Sequence, residues 1–511
     1  MAKDLKAQAL QALAGSRAQV DPDYPRYHLA PAVGRLNDPN GLLVDRGTYH
    51  AFFQLGPFHP RRRLVYWGHA SSTDLLSWRQ HEPAIVPDSA YDANGAYSGT
   101  ALVLEPEEAA RAPQEAPFQL FYTGNLKDPR TSERHASQCL VTSADLRTFA
   151  KHPGNPVVPQ PEPGFTAHYR DPQVFRDPDR PGEYRMLVGA QRADRTGAAV
   201  FYRSRDLLEW TFEGELVFPD AGGALESLGY MWECPNLVRL TDEQTGQQRD
   251  VLVFCPQGME PQAEGYENVF PCVYVVGRLE GCALRECDGT LAELDRGFEF
   301  YAPQVFARRP SEPGPVLLMG WAGNATEDEH PSLDPGGWLH TMTVPRVLSL
   351  RGGRLLQRPA VPTQAPGAVR SVLAGACLPA GSHRLPELEG SRHWQLVLEP
   401  APGARPAWTL RLGTEGCHVD ITLDGDQLTV DRSTSRLTRY ATRRQVTLPA
   451  GAADRLEVLH DASVTELYLG QGELVLTLRS FLEPRASGAT LLTPSGLEVA
   501  AAWVRLHSAA G

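Results

Sequence analysis

Trp232-Glu233-Cys234-Pro235-Asn236-Leu237-Val238 sets a carboxylate ahead of a proline and an apolar run, and the chain repeats that grammar. Asp38-Pro39-Asn40-Gly41-Leu42-Leu43-Val44 has it, as do Asp171-Pro172-Gln173-Val174-Phe175 and Ala302-Pro303-Gln304-Val305-Phe306. Tyr97-Ser98-Gly99-Thr100-Ala101-Leu102-Val103 is a looser copy. From 38 to 98, 171, 233 and 302 the steps are 60, 73, 62 and 69 residues. Near-even recurrence of one strand-entry pattern marks a repeat architecture, in which each copy opens the same strand of the same unit. In a ring of such units, equivalent positions lie at the same end of one axis. Asp38, Asp171 and Glu233 are therefore expected to converge on one site.

A second repeat runs in phase with the first. Ser72-Thr73-Asp74-Leu75-Leu76-Ser77-Trp78 recurs as Ser143-Ala144-Asp145-Leu146-Arg147-Thr148-Phe149 and as Ser204-Arg205-Asp206-Leu207-Leu208-Glu209-Trp210. Each copy joins a polar turn, an Asp able to cap it and a terminal aromatic expected to seal the core between neighbouring sheets. Strand-type runs such as Thr48–Gln54, Phe118–Tyr122 and Val251–Phe254 fill the intervals. Five such units predict an all-β five-bladed β-propeller over residues 24–350. Ahead of it, residues 3–18 are rich in Ala, Leu and Gln and predict a short helix within an N-terminal extension, 1–23. Residues 351–368, rich in Gly and Pro, read as a linker. Beyond them, alternating strands joined by Asp424-Gly425 and Gly470-Gln471-Gly472 turns predict a β-sandwich over 369–511.

Composition narrows the function classes. A hydrophobic content of 42% with 22% charged residues is that of a globular chain, and 511 residues exceed one ordinary core. The 49 Lys and Arg against 61 Asp and Glu leave a net charge of −12, which argues against nucleic acid or an anionic membrane surface as a partner. No run approaches the ~20 apolar residues of a membrane span. Gln8 and Gln11 interrupt the N-terminal apolar residues, so no export signal is read and a cytoplasmic location is expected. The eight cysteines lack C-x-x-C spacing and are expected as buried free thiols. The fifteen histidines lack ligand spacing, so neither a metal nor another cofactor is expected.

Converging carboxylates suit glycosidic cleavage. A retaining enzyme uses two carboxyl groups about 5–5.5 Å apart, one attacking the anomeric carbon and the other protonating the leaving oxygen. Glu233, flanked by Trp232 and Cys234-Pro235, has the more apolar sequence setting and reads as the acid/base. Asp38, between Asn37 and Asn40, has hydrogen-bond donors nearby and reads as the nucleophile. Asp171, next to Arg170, is expected to stay ionised and hold substrate hydroxyls.

The ordered set Asn37-Asp38-Pro39-Asn40-Gly41, Trp67-Gly68-His69-Ala70, Tyr97-Ser98-Gly99, Arg170-Asp171-Pro172, Glu233-Cys234-Pro235 and Tyr301-Ala302-Pro303-Gln304 resembles the motif series of glycoside hydrolase family 32. Asp461-Ala462-Ser463-Val464-Thr465-Glu466-Leu467-Tyr468 resembles that family's sandwich domain. The resemblance implies a five-bladed propeller with a sandwich, and hydrolysis of terminal β-fructofuranosides with retention. It implies Asp38 as nucleophile, Glu233 as acid/base and Asp171 as transition-state stabiliser. Asn37, Gln54, Trp67, Ser98 and Arg170 match its fructose-pocket positions, and Trp321 is expected to contribute a flat apolar face in the same way. The implied substrate is a small sugar: sucrose, sucrose 6-phosphate or short fructo-oligosaccharides. Fructan exohydrolases and fructosyltransferases share the same intermediate. A non-catalytic sugar-binding propeller would tolerate loss of a carboxylate, and all three are present. Arg35-Leu36 stands where many members have Trp-Met, and Arg61-Arg62-Arg63 occupies a loop where a tryptophan is usual. Those guanidinium groups, seven residues after Gln54 and four before Trp67, are expected to favour a phosphorylated sugar if the loop folds over the pocket.

Overall fold

A computed structural model of the chain describes residues 4–260, 265–334, 337–361, 369–373, 375–401, 407–485 and 487–507. The protein is all-β apart from short helical turns and one helix of ten residues. Strands β1 (Gly34–Asp45), β2 (Ala101–Val103), β3 (Phe165–Arg176), β4 (Met231–Thr241) and β5 (Tyr301–Val305) belong to five successive sheets of four or five strands. Adjacent residues of a strand face opposite ways, so each sheet buries both faces. Leu43, Phe52 and Trp67 of the first sheet pack with Val103 and Leu120 of the second. Leu102 and Phe121 of the second pack with Val174 and Met186 of the third, and Leu187 and Phe201 of the third pack with Leu252 and Val273 of the fourth. Val251 and Val253 of the fourth share a cluster with Leu317 and Met319 of the fifth and with Leu42 and Phe53 of the first. The succession thus returns to its start, and Trp338–Leu339 adds a parallel pairing onto Gly34–Arg35 of the first sheet. At about 1.5–3 kcal/mol per buried large aliphatic or aromatic side chain, these inter-sheet clusters dominate the stability of this half.

The Ser-x-Asp repeats form three near-identical turns. In each, the Ser hydroxyl accepts the N–H of the residue three ahead, at 2.8 Å, and Asp Oδ1 accepts two further N–H groups. The aromatics seal neighbouring sheets as expected: Phe149 meets Phe52 and His69 edge-on, and Trp210 meets Phe121.

Two boundaries differ from expectation. The helix is shorter, Leu5–Ala14, because Asp4 caps its start by accepting Ala7 N–H and Gly15 ends it. It is packed against the chain, with Ala9 fully buried and Lys6 paired to Glu82. Gly352-Gly353, read as the opening of a linker, is a hairpin turn at positive φ. It joins Arg346–Arg351 to Arg354–Pro359, the outer strand of the fifth sheet. Most of the remaining expected linker lies outside the described residues. All eight cysteines are free, and the expectation of burial fails at exposed Cys377 and half-buried Cys282.

The C-terminal part is two sheets, of seven and six strands, around one core. Strict alternation places Trp408, Leu410, Leu412, Val419, Ile421 and Leu423 inside. Asp461, beside the turn between Leu456–Asp461 and Val464–Leu469, ties this part to the first: it accepts the N–H groups of Arg26, Tyr27 and His28, each at 2.8 Å. It also takes His28 Nδ1 at 2.9 Å and His393 Nδ1 at 2.6 Å. Burial opposes its charge, but the hydrogen bonds from His28 and His393 prevail and hold the carboxyl far below the usual range.

Candidate active site

The X-Pro motifs are bulges, and the bulges build the site. Strand pairing skips between Leu36 and Pro39 in β1, is interrupted between Arg170 and Gln173 in β3, and skips between Glu233 and Asn236 in β4 and between Tyr301 and Gln304 in β5. Proline cannot donate to a ladder and disfavours the right-handed helical region for the residue before it. In three of the four bulges the preceding residue is left-handed: Asp171 at φ 64°, Cys234 at 48° and Ala302 at 48°. Such backbone costs about 1–3 kcal/mol per residue. In return the bulge breaks alternation, so that consecutive residues reach one cavity, Asn37 with Asp38 and Arg170 with Asp171. This corrects the sequence alignment of the acids. The pre-proline residue of β4 is Cys234; Glu233 lies one position earlier, equivalent to Arg170 of β3 and Tyr301 of β5.

The cavity holds about 430 Å³ and is lined by Asn37, Asp38, Gln54, Arg170, Asp171, Glu233 and Trp321, with Gln257 and Tyr301 beside them. Asp38 sits at the end of a relay. Asn37 Nδ2 donates to Asp38 Oδ1 at 3.1 Å and to Gln54 Oε1 at 2.7 Å. Gln54 Nε2 donates to Asp38 Oδ2 at 3.1 Å and also to Ser98 Oγ, whose hydroxyl donates to Asp38 Oδ2 at 2.5 Å. Asn40, expected as a donor here, instead accepts Gly99 N–H at 3.3 Å. Gly99 also lets the neighbouring strand come close, since a Cβ there would lie 1.9 Å from the Phe121 carbonyl oxygen. Burial, reinforced by the charge of Glu233 and opposed by the bonds from Ser98 and Asn37, lifts Asp38 above the ordinary carboxylate value.

Asp171 Oδ2 accepts Cys234 N–H at 3.1 Å, and the Cys234 thiol lies 3.9 Å from Asp38 Oδ2. Arg170 was expected to keep Asp171 ionised; it turns to Glu233 instead, with Nε and Nη2 at 3.0 and 2.6 Å from Oε1, and stands 3.9 Å from Asp171. Burial, then the charges of Glu233 and Asp38, push Asp171 up to about 7 against the pull of Arg170. The expected apolar setting of Glu233 is also corrected. Trp232 points the other way, into the third–fourth sheet cluster, while Gln257 Nε2 and Tyr301 Oη both donate to Glu233 Oε2 at 2.6 Å. His168 accepts from Arg170 Nη1 at 3.0 Å, consistent with an imidazole that burial and the Arg170 and Arg134 charges lower to about 4.

Two expected sugar contacts move. Trp67 is fully buried, its indole donating to the Tyr97 carbonyl at 2.9 Å; it is a core residue behind the cavity, not a wall of it. Ser98, fully buried, serves Asp38 rather than lining the cavity. Trp321 does line it, with the Arg35 guanidinium 5.0 Å over its ring. Arg35, Arg62, Arg63 and Arg134 give the cavity a cationic rim, of which Asp328 engages Arg35 at 3.0 Å and Arg63 at 3.2 Å. Gln257 and Tyr301 escaped the sequence reading. Tyr301 had a signal, its place one residue before a pre-proline bulge, and Gln257 had none. A larger groove of about 640 Å³ between the first and second sheets offers no such set: its carboxylates Glu82 and Asp88 are paired with Lys6 and Lys151.

Three carboxylates facing one cavity, with amides and a guanidinium around them, define a carbohydrate-cleaving hydrolase. The profile of the Glycosyl hydrolases family 32 N-terminal domain matches residues 28–359. The chain belongs to glycoside hydrolase family 32. It is 38% identical over 470 residues to a sucrose-6-phosphate hydrolase of Klebsiella pneumoniae, covering 91% of this chain and 90% of that one. It is 34% identical to another from Bacillus subtilis, covering 91% of each. Among solved structures it superposes on sucrose-6-phosphate hydrolase from Lactobacillus gasseri with a TM-score of 0.82, 28% identity and coverage of 99% and 98%. A family 32 β-fructofuranosidase from Bombyx mori gives 0.78 at 28% identity, covering 100% and 99%.

Proposed function

We propose that this protein is a retaining β-fructofuranosidase that cleaves sucrose-type substrates in the cytoplasm, with sucrose 6-phosphate preferred over sucrose. The five sheets are read as the blades of a closed propeller over residues 24–359, followed by a linker to 368 and a β-sandwich from 369. Asp38 attacks the anomeric carbon, oriented by Asn37, Gln54 and Ser98. Glu233 protonates the departing oxygen and then takes a proton from the water that releases fructose. Asp171 accepts fructose hydroxyls, which offset part of the cost of ionising a buried carboxyl. The observation that carries the reading is that Asp38, Asp171 and Glu233 face one cavity beneath a rim of arginines. The names borne by the Klebsiella and Bacillus relatives support the phosphorylated substrate, and so does the rim. Arg62 and Arg63 line the cavity while Arg61 does not. Among the described residues no helix is long and apolar enough to cross a membrane.

The test compares kcat/KM for sucrose 6-phosphate and sucrose, with raffinose, inulin and levan as further substrates, in wild type and in Arg62→Ala/Arg63→Ala. A phosphate contact gives a wild-type preference that shrinks in the variant and weakens as salt is raised. An unchanged ratio returns the loop to plain surface charge and removes its support for the phosphorylated sugar, leaving plain sucrose or short fructans as the better reading.

A further inference from the structure

We propose that Asn40 and Gln304 are positioning residues for the nucleophile: together they clamp Gly99 and so hold the Ser98 hydroxyl against Asp38. The inference rests on Asp38 being the nucleophile. The residue after each proline of the repeat is polar: Asn40, Gln173, Asn236 and Gln304, with Thr100 in the same place of the looser copy. Each reaches the backbone of another sheet's motif. Thr100 Oγ1 donates to the Pro172 carbonyl at 2.9 Å and accepts Val174 N–H at 3.0 Å, joining the second sheet to the third. Gln173 accepts Leu237 N–H at 2.7 Å and donates to the Leu237 carbonyl at 3.0 Å, joining third to fourth. Asn236 accepts Val305 N–H at 3.1 Å, joining fourth to fifth. The remaining two converge on one residue. Asn40 Oδ1 accepts Gly99 N–H at 3.3 Å. Gln304 Nε2 donates to the Gly99 carbonyl at 3.1 Å, as does Gly41 N–H at 3.1 Å. The first and fifth sheets thus hold the segment that enters the second.

That segment carries Ser98. The Gly99 N–H and the Ser98 carbonyl are the two edges of one peptide group, and both are held: Asn40 takes the N–H, and Thr123 N–H donates to the carbonyl at 3.2 Å. With its backbone fixed, Ser98 Oγ stands 2.5 Å from Asp38 Oδ2, a span that a small shift of the backbone would lengthen and weaken. The bond opposes burial, which lifts Asp38, so slackening it makes the attacking carboxylate harder to form. The two amides are themselves costly. Asn40 and Gln304 are 0% and 1% exposed, and among the described residues Asn40 Nδ2 and Gln304 Oε1 have no hydrogen-bond partner. A buried polar group without a partner destabilises a fold, and an apolar side chain of the same shape would avoid that cost. What the amides supply in return is their hold on Gly99.

The experiment is a double-mutant cycle on kcat/KM for sucrose across pH, with wild type, Ser98→Ala, Gln304→Met and the double variant. A hydrogen bond to a charged group is worth a factor of about 10–100, so Ser98→Ala should lose that much and move the acid limb of the profile to higher pH. Gln304→Met should lose about 3–10-fold and move the limb in the same direction. The double variant should match Ser98→Ala alone, because the clamp acts through that hydroxyl. An unmoved limb in Gln304→Met, or losses that multiply in the double variant, overturn the proposal. Should Gln304→Met fail to fold, Asn40→Leu removes the acceptor on the same glycine and completes the same cycle. Gln173→Met removes the equivalent contact between the third and fourth sheets and should leave the limb in place. A displacement equal to that of Gln304→Met would make the effect one of general packing and overturn the special part of Gly99. If Ser98→Ala itself leaves limb and rate unmoved, the nucleophile assignment has failed, and the clamp falls with it.

Discussion

Replacing Asp171 with Asn removes a charge that the folded protein finds costly, and the consequence for stability can be worked out. The carboxyl titrates near 3.8 when exposed and is pushed up to about 7 in the folded chain, first by burial and then by Glu233 and Asp38. Between those values the folded state keeps a proton that the unfolded state has lost. Stability from this group therefore falls as pH rises through the window, and the full penalty stands above about 7. At about 1.4 kcal/mol per pH unit the penalty approaches about 4 kcal/mol. Part of it is repulsion shared with Asp38 and Glu233, so about 2–4 kcal/mol is expected from removing Asp171 alone. Asn can keep the acceptor for Cys234 N–H. With an unfolding entropy of about 2.1 cal/mol/K per residue over roughly 330 residues, Asp171→Asn should raise the melting temperature by about 3–6 °C at pH 8.5. At pH 4.5 the gain should shrink to about a quarter of that. The assay is paired scanning calorimetry of variant and wild type at both pH values. The difference between the two proteins cancels the other titrating groups. A gain that is the same at both pH values, or a variant less stable at pH 8.5, refutes the electrostatic account. The same variant should lose most turnover, making a site residue whose function costs stability.

Asp38→Asn keeps shape but removes the attacking charge, so turnover should fall by several orders of magnitude. NMR of the first sugar released by wild type checks the premise: α-fructofuranose would mean inversion and end the nucleophile assignment. Glu233→Ala should lose most activity on sucrose and less on an activated fructoside, because protonation helps poor leaving groups; steady-state rates on the pair decide it. Asp461→Asn strips the charge from a fully buried acceptor of three N–H groups and two imidazoles, and should cost about 3–5 kcal/mol of stability in urea unfolding. A cost within about 0.5 kcal/mol would show that the docking of residues 26–28 does not depend on that charge.

Much of this molecule was legible in the chain because it is local. The alternation at Trp408, Leu410 and Leu412 and the turn chemistry of Ser72-Thr73-Asp74 need only neighbours in sequence, and both appear as read. The spacing of the X-Pro motifs likewise marked five successive sheets and brought Asp38, Asp171 and Glu233 to one cavity. What the sequence could not carry is which way each side chain of those motifs points. Trp232 adjoins Glu233 in the chain yet lies on the opposite face of β4, so an environment inferred from neighbours was the wrong one. Asn40 adjoins the Asp38 motif and serves Gly99. Arg170 adjoins Asp171 and serves Glu233. Trp67 belongs to the core. Plain alternation sets Trp232 opposite Glu233, the interruption after Arg170 brings it and Asp171 to one cavity, and strands remote in sequence supply the partners. Gln257 meets Glu233 across strands and Tyr301 meets it across sheets. Chain order determined the repeat and the acids; only the packing of strands far apart in sequence determined where each proton is held.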